Sequence, residues 1–453
     1  MRLGRSYLAG VAALAIGSCP VALWAQVPEE LGGLLVEGDL SFRLESDDGE
    51  PEFRTGFDFG IRSATRTQIL RFSGDYGLVV PLDGDGDTEF LDPTYRAEYL
   101  RNNGQTQITV SGFFQSTDVD GFALVFDPDA DPDDFDEGDL VDDDGTRQRH
   151  DLDLGFEWGL RDPVGGTLSY SRSEITFIDT ADPDLTDSLT TELAGTLRLD
   201  ADPTLRIILD ASHLMREEDD IPSTETDTRR AGVRTIWEMT PVLTFDGRLG
   251  WTRIVETEFG VDDVREGAEI AIDLGLDRPN GNWELSYDRV LTGVGNQNTL
   301  AVTRELALPG GADVAASLGV THMPSGEHYG IGFLRYDRAT QRGRINLFAS
   351  RNVQVNSDDD EVIRDRFQAS YSEPLPWGGS WSLSGSVFAS DFTDPAENDL
   401  TTGQVSVNYA MPLTRDWDLS SGVTWREIRE DGSDTDRESF LFISLERSFE
   451  FRP

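Results

Sequence analysis

Lysine is missing from this sequence, cysteine occurs once and histidine only four times. All 38 basic residues are therefore arginines, and 85 acidic residues outweigh them to give a formal net charge of -47. This acid excess excludes nucleic acid as a partner, because phosphate binding depends on a basic surface. The single cysteine, Cys19, excludes a disulfide framework and a thiolate metal cluster.

Long apolar runs are absent as well. After the first 25 residues, no apolar stretch approaches the roughly 20 residues of a membrane-spanning helix. At the N-terminus, Arg2 and Arg5 precede a short apolar segment that leads to a small-residue site at Ala25. This arrangement predicts a cleaved secretory signal peptide over residues 1–25 and a short periplasmic segment over residues 26–35. We expect an exported protein without a helical anchor.

Cys19 leaves one alternative open for this leader. The segment Ile16-Gly17-Ser18-Cys19 is similar to the lipidation motif of bacterial lipoproteins, in which the cysteine is kept and lipidated. Pro20 and the apolar residues after it favour cleavage after Ala25 instead.

So high a net charge favours a disordered chain. The spacing of the apolar residues shows whether this chain is expected to fold. From Val36 onward, apolar residues recur at every second position in segments of about ten residues, bounded by Gly, Pro, Asp and Asn. In Leu152–Trp158, for example, the apolar residues alternate with Asp, Gly and Glu. The pattern predicts strands with one apolar and one polar face.

The connections between these strands alternate in kind. The odd-numbered connections are predicted to be long and acidic, as at Asp47–Glu52, Ser116–Arg149 and Thr257–Glu266, whereas the even-numbered ones are short, as at Arg101–Gly104. Apolar-out, polar-in strands with short turns at one end and long loops at the other are typical of outer-membrane barrels. We therefore predict an all-β, transmembrane, antiparallel up-and-down β-barrel over residues 36–453, with an even number of strands from about 18 to 24 and about 22 as the best count.

The last strand strengthens this interpretation. Phe440–Phe451 resembles the C-terminal aromatic strand that the barrel assembly machinery recognises, and the mature chain as a whole resembles the porin-like class of bacterial outer-membrane barrels. The resemblance implies contact with outer-membrane lipid and lipopolysaccharide. Energy-coupled nutrient receptors also have about 22 strands but carry a plug domain ahead of the barrel. Because alternation begins near Val36, we expect no plug and exclude that class.

Charged residues on the polar face are expected to line the lumen. The first four strands provide the predicted lumen-lining residues, which are Arg43, Arg54, Asp58, Arg71, Asp75 and Arg96.

The third outward connection is the longest and the most acidic. In general porins the third loop folds into the channel and narrows it, so the resemblance implies a constriction here; a solvated surface loop is the alternative. The candidate constriction residues are Asp127, Asp129, Asp131, Asp133, Asp134, Asp136, Glu137, Asp139, Asp142, Asp143 and Asp144.

Dedicated metal and catalytic sites are not expected. Asp83, Asp85 and Asp87 begin a calcium-loop pattern, but Thr94 stands where that loop needs its bidentate acid. We therefore predict no cofactor beyond loosely held divalent cations. His322, His328 and Ser325 share a neighbourhood, yet ordinary loop residues explain them better than a nucleophile and its base.

Together these features predict a non-enzymatic outer-membrane channel for passive diffusion of small polar solutes or ions, with a cation preference set by the acidic loops. Three alternatives stay open: a structural or adhesive surface barrel with a closed lumen, a polymer exporter, and an outer-membrane hydrolase.

Overall fold

A computed structural model describes residues 33–47, 50–82, 88–120, 142–180, 185–219, 223–355, 361–392, 399–430 and 435–452. The predicted signal peptide, Cys19 and the candidate calcium-loop residues Asp83, Asp85 and Asp87 lie outside the described residues. No helix in the described ranges is long and apolar enough to cross a membrane.

The described residues form 22 strands in one sheet. Their bounds are β1 Gly33–Asp47, β2 Glu50–Ala64, β3 Gln68–Pro81, β4 Glu89–Asn102, β5 Thr106–Asp120, β6 Asp142–Trp158, β7 Val164–Ile178, β8 Ser188–Asp202, β9 Leu205–Glu218, β10 Glu225–Thr240, β11 Leu243–Glu258, β12 Val261–Arg278, β13 Gly281–Thr292, β14 Gly295–Leu308, β15 Ala312–His322, β16 His328–Ala339, β17 Arg344–Val355, β18 Glu361–Pro374, β19 Ser380–Phe392, β20 Leu400–Pro412, β21 Trp417–Glu430 and β22 Asp436–Phe451.

The sheet closes into a barrel. Each strand pairs antiparallel with the next one along the chain, and β1 pairs with β22 from Val36↔Phe451 to Asp47↔Phe440. Closure leaves no free sheet edge, so the backbone groups of the strands bond within the wall, as a hydrocarbon environment requires.

One face of the wall is apolar and open to its surroundings. Leu193, Leu209 and Leu318 lie on it with 51%, 47% and 79% of their surface exposed. So continuous an exposed apolar surface would be unfavourable in water, but it matches the lipid-facing band of a membrane barrel. We call this face the outer wall and the opposite, charged face the inner wall.

Five tryptophans of the outer wall lie close to the short turns, as the aromatic girdle of a barrel does at the membrane interface, whereas Trp251 and Trp425 lie farther along their strands. The five are Trp158, Trp237, Trp283, Trp381 and Trp417.

Several predicted loops are shorter than expected. β1 runs to Asp47 and β2 starts at Glu50, while only residues 259–260 separate β11 from β12, so the predicted loops Asp47–Glu52 and Thr257–Glu266 are wrong in extent. Polar pairs hold these strands together beyond the apolar band: Arg265 Nη1 lies 3.3 Å from Glu256 Oε2. Polar composition alone therefore does not end a strand.

Candidate functional site on the inner wall

The inner wall carries the charged residues that the alternation assigns to one face. Arg43 lies opposite Arg54, Asp58 opposite Asp75, and Ser73 opposite Arg96, so the register puts the predicted lumen residues on a common face. That face is opposite the exposed Phe57 and Leu70. Their role in lining a transport path stays a prediction.

Two of these arginines share one carboxylate. Glu45 has a side chain only 4% exposed; Arg43 Nε lies 2.6 Å from its Oε2, and Arg54 contacts its other oxygen. Arg43 also stacks over the Phe442 ring at 4.2 Å, which ties β1 to β22. This cluster stabilises the seam where the barrel closes.

A longer ion-pair network crosses the inner wall from β9 to β12. Arg248 Nη2 donates to Asp210 Oδ2 at 2.7 Å and Arg248 Nη1 to Glu269 Oε2 at 2.9 Å. Arg230 lies 3.7 Å from the same Glu269, whose side chain is 5% exposed. The network was not predicted from the sequence, because alternation assigns a face but not the partner two strands away.

Glycine makes this network possible. Arg248 on β11 reaches Asp210 on β9 by crossing directly over Gly232 on β10. A side-chain carbon at Gly232 would lie 3.1 Å from both Arg248 Nε and Asp210 Oδ1. A residue with a Cβ would push these two charged groups aside by a few tenths of an ångström, so glycine favours their close approach across the middle strand.

Acidic residues lie beside one another at two further places on the inner wall. Asp39, Asp58 and Asp75 lie directly opposite one another on β1, β2 and β3, and none of the three forms an ion pair with an arginine in the described part of the chain. Asp273 on β12 and Asp288 on β13 are a second acidic pair. Among the described residues, no group of three acidic, histidine or cysteine side chains is arranged to hold a metal ion.

The structure assigns the remaining candidates to other places. Asp142, Asp143 and Asp144 belong to the start of β6, and the other candidate acids, at positions 127–139, lie outside the described residues, so the constriction stays a prediction.

His322, His328 and Ser325 lie together at the β15–β16 connection, but the serine is not bonded to either ring. His322 and His328 stack with ring centroids 4.4 Å apart. Ser325 Oγ, however, donates to Glu361 Oε2 at 2.8 Å rather than to either ring. This bond holds the β15–β16 connection against β18.

No family model and no curated protein matches the chain. Solved structures do match over nearly its full length. The FrpB iron transporter from Neisseria meningitidis is similar with a TM-score of 0.65 at 9% identity, covering 92% of this chain and 82% of that one. Copper transporter OprC matches at 0.57 and 13% identity, covering 93% and 82%. The siderophore receptor PirA from Pseudomonas aeruginosa matches at 0.56 and 8% identity, covering 92% and 80%.

The similarity confirms the bacterial outer-membrane β-barrel class and corrects two predictions. The fold is similar to that of the iron and copper transporters, whose class carries a plug domain, so excluding that class in favour of a porin-like barrel was wrong. The prediction of a passive diffusion channel is wrong with it, because the matching structures are described as metal transporters and siderophore receptors. Alternation could not separate the classes, since both barrels satisfy the same bilayer with the same two-faced strands.

Proposed function

We propose that this chain takes up a metal ion or a small metal chelate across the outer membrane by an energy-dependent route, with iron as the first candidate, and has no catalytic role. The observation that carries the proposal is the match of the closed 22-strand barrel to the iron and copper transporters over more than nine tenths of the chain. Export through the signal peptide over residues 1–25, a periplasmic segment over residues 26–35, and insertion by the barrel assembly machinery belong to the same proposal.

The inner wall supports a cationic or neutral solute. Its arginines are largely engaged by carboxylates, as Arg248 is by Asp210 and Glu269. The acidic residues around Asp58 and Asp273 therefore leave the field along the wall negative, and such a field concentrates cations. Carboxylate oxygens are also the ligands that hard metal ions prefer, whereas soft copper(I) favours thiolate and thioether ligands.

The proposal is tested by metal uptake in metal-limited cells. Cells that express the chain, cells that lack it and cells with the double variant Asp58→Asn/Asp273→Asn receive radioactive iron or copper. We expect loss of the chain to lower initial iron uptake severalfold, and the double variant to lower it in part. Asp365→Asn is the matched control, because Asp365 lies on the outer wall beside Arg351. Equal uptake of both metals with and without the chain would contradict the proposal.

A further inference from the structure

We propose that His322 and His328 form a binding site for one borderline divalent transition-metal ion, such as copper(II) or zinc(II). The two residues lie directly opposite each other on β15 and β16, on either side of the connection formed by residues 323–327. The two side chains supply the protein ligands, and water fills the remaining positions, as in an open site. The site is on the outer wall, away from the charged inner wall, and does not depend on which solute is transported.

The histidine pair lies just beyond the apolar band of the outer wall. On β15 every second residue from Val314 to Val320 is apolar, and His322 is the next one on that face. On β16 the same face runs from Leu334 through two glycines to His328, which is exposed. A hydrated metal ion can therefore reach both rings from the aqueous phase without entering the lipid or the lumen.

The two rings are close enough to chelate one ion. Their centroids are 4.4 Å apart, and the ring planes are inclined by 33°. Two imidazole nitrogens that bind the same zinc ion, each at about 2.0 to 2.1 Å, lie no more than roughly 4 Å apart. Because the rings are already in contact, a rotation of the exposed His328 side chain can bring its nitrogen within that span.

A backbone contact selects the form of His322 that binds a metal. Its Nδ1 atom lies 3.2 Å from the carbonyl oxygen of Glu327, which can only accept a hydrogen bond. Nδ1 therefore carries the proton, and the lone pair of the neutral ring is left on Nε2. Metal-binding histidines usually donate their other ring N–H in this way to a carbonyl or a carboxylate, which fixes the orientation and the tautomer of the ring.

The connection that provides this carbonyl is held in place. The Glu327 oxygen also accepts from the Met323 N–H at 3.0 Å, and the Met323 side chain is fully buried. Ser325 donates through its N–H and its Oγ to the Glu361 carboxylate, at 3.0 and 2.8 Å. Because this connection is ordered before a metal binds, less ordering entropy is lost on binding. The carboxylates of Glu327 and Glu361 add a negative field that attracts a cation.

The ligand type decides which metal the site prefers. Imidazole suits copper(II), nickel(II) and zinc(II), and copper(II) binds most tightly among the divalent metals of the first transition row. Copper(II) is therefore the most sensitive probe. The many exposed carboxylates of the chain would also bind it loosely, but calcium, a hard cation that prefers oxygen ligands, occupies them when it is in excess.

The test titrates the purified full chain, which carries no histidine tag, with copper(II) in detergent and excess calcium. Electron paramagnetic resonance counts the imidazole nitrogens bound to copper, and competition with a chelator of known affinity gives the Kd. His322→Gln and His328→Gln each remove one ligand. His213→Gln is the matched control, because His213 is also on the outer wall but contacts Asp227 instead of a second histidine. A faster migration on unheated than on boiled gels verifies that each variant is folded.

We expect one copper(II) ion bound by two imidazole nitrogens in the wild type and in His213→Gln. Even the loss of an outer partner of a metal ligand costs about 10- to 100-fold in affinity, so His322→Gln and His328→Gln should each bind copper(II) roughly tenfold or more weakly. A single bound nitrogen in the wild type, or wild-type affinity in either folded variant, overturns the proposal. An equal loss in His213→Gln overturns it too, because copper would then bind scattered histidines.

Discussion

Replacing Arg248 by leucine removes the central cation of the inner-wall network. The carboxylates of Asp210 and Glu269 then lose the guanidinium that both of them bind. Asp210, 24% exposed, can still be solvated, but Glu269, 5% exposed, cannot. Within the described residues, the other cation beside Glu269 is Arg230, at 3.7 Å. The consequence is a nearly buried carboxylate with a weakened partner.

The expected cost follows from that geometry. Removing one partner of a buried ion pair costs about 3 to 5 kcal/mol, because the remaining charge is left uncompensated. Arg230 offsets part of this, so we expect about 3 kcal/mol for Arg248→Leu. Neutralising the Glu269 carboxylate, which has lost its partner, should restore part of the lost stability. The double-mutant cycle of Arg248→Leu and Glu269→Gln should therefore show a coupling energy of about 1 to 3 kcal/mol.

The assay is urea-dependent folding into phospholipid vesicles, followed by the mobility of unheated samples on denaturing gels and by tryptophan fluorescence. The four proteins of the cycle are compared under identical lipid and salt conditions. A surface substitution changes the free energy of unfolding by less than roughly 0.5 kcal/mol. If Arg248→Leu changes it by no more than that, or if the cycle shows no coupling, Glu269 is not buried beside Arg248 and the network is wrong.

Three further predictions use the same assay. Leu285→Arg, on the outer wall, should lower the free energy of unfolding by about 2 to 4 kcal/mol if it lies near the bilayer midplane. Its neighbour Ser286→Arg, on the inner wall opposite Asp273, should lower it by less than about 1 kcal/mol, and equal losses would show that the faces are misassigned. Asp58→Asn should stabilise the barrel by up to about 1 kcal/mol, because it removes like charges directly across two strands, and the gain should shrink as salt rises; a loss of stability would contradict this repulsion. Gly232→Val should destabilise by about 1 to 3 kcal/mol in the wild type but by clearly less in Arg248→Leu, since the new side chain displaces the ion pair above it; equal effects would mean that the pair does not cross this glycine.

The two-faced wall could be predicted from the sequence because the strand period is local. Leu152, Leu154 and Phe156 fall on one face whatever their neighbours are, and the bilayer requires that face to be apolar. The extent of β11 and β12 could not be read the same way, since pairs such as Arg265 with Glu256 extend the ladder through polar sequence.

The inner-wall network and the functional class could not be predicted from the sequence, for a different reason. Arg248 meets Asp210 only through a register that spans three strands, and no local pattern encodes that register. Alternation likewise reports the solvent on each side of the wall, not whether a solute passes freely or is taken up at the expense of energy.

Energy dependence of uptake tests the proposed function most directly. In metal-limited cells that express the chain, the initial rate of radioactive iron uptake is measured before and after a protonophore dissipates the proton-motive force. Cells that lack the chain give the baseline rate. We predict that the protonophore lowers the rate to that baseline. Uptake that depends on the chain and continues at its full rate through the protonophore would contradict energy-dependent transport and make the barrel a passive channel.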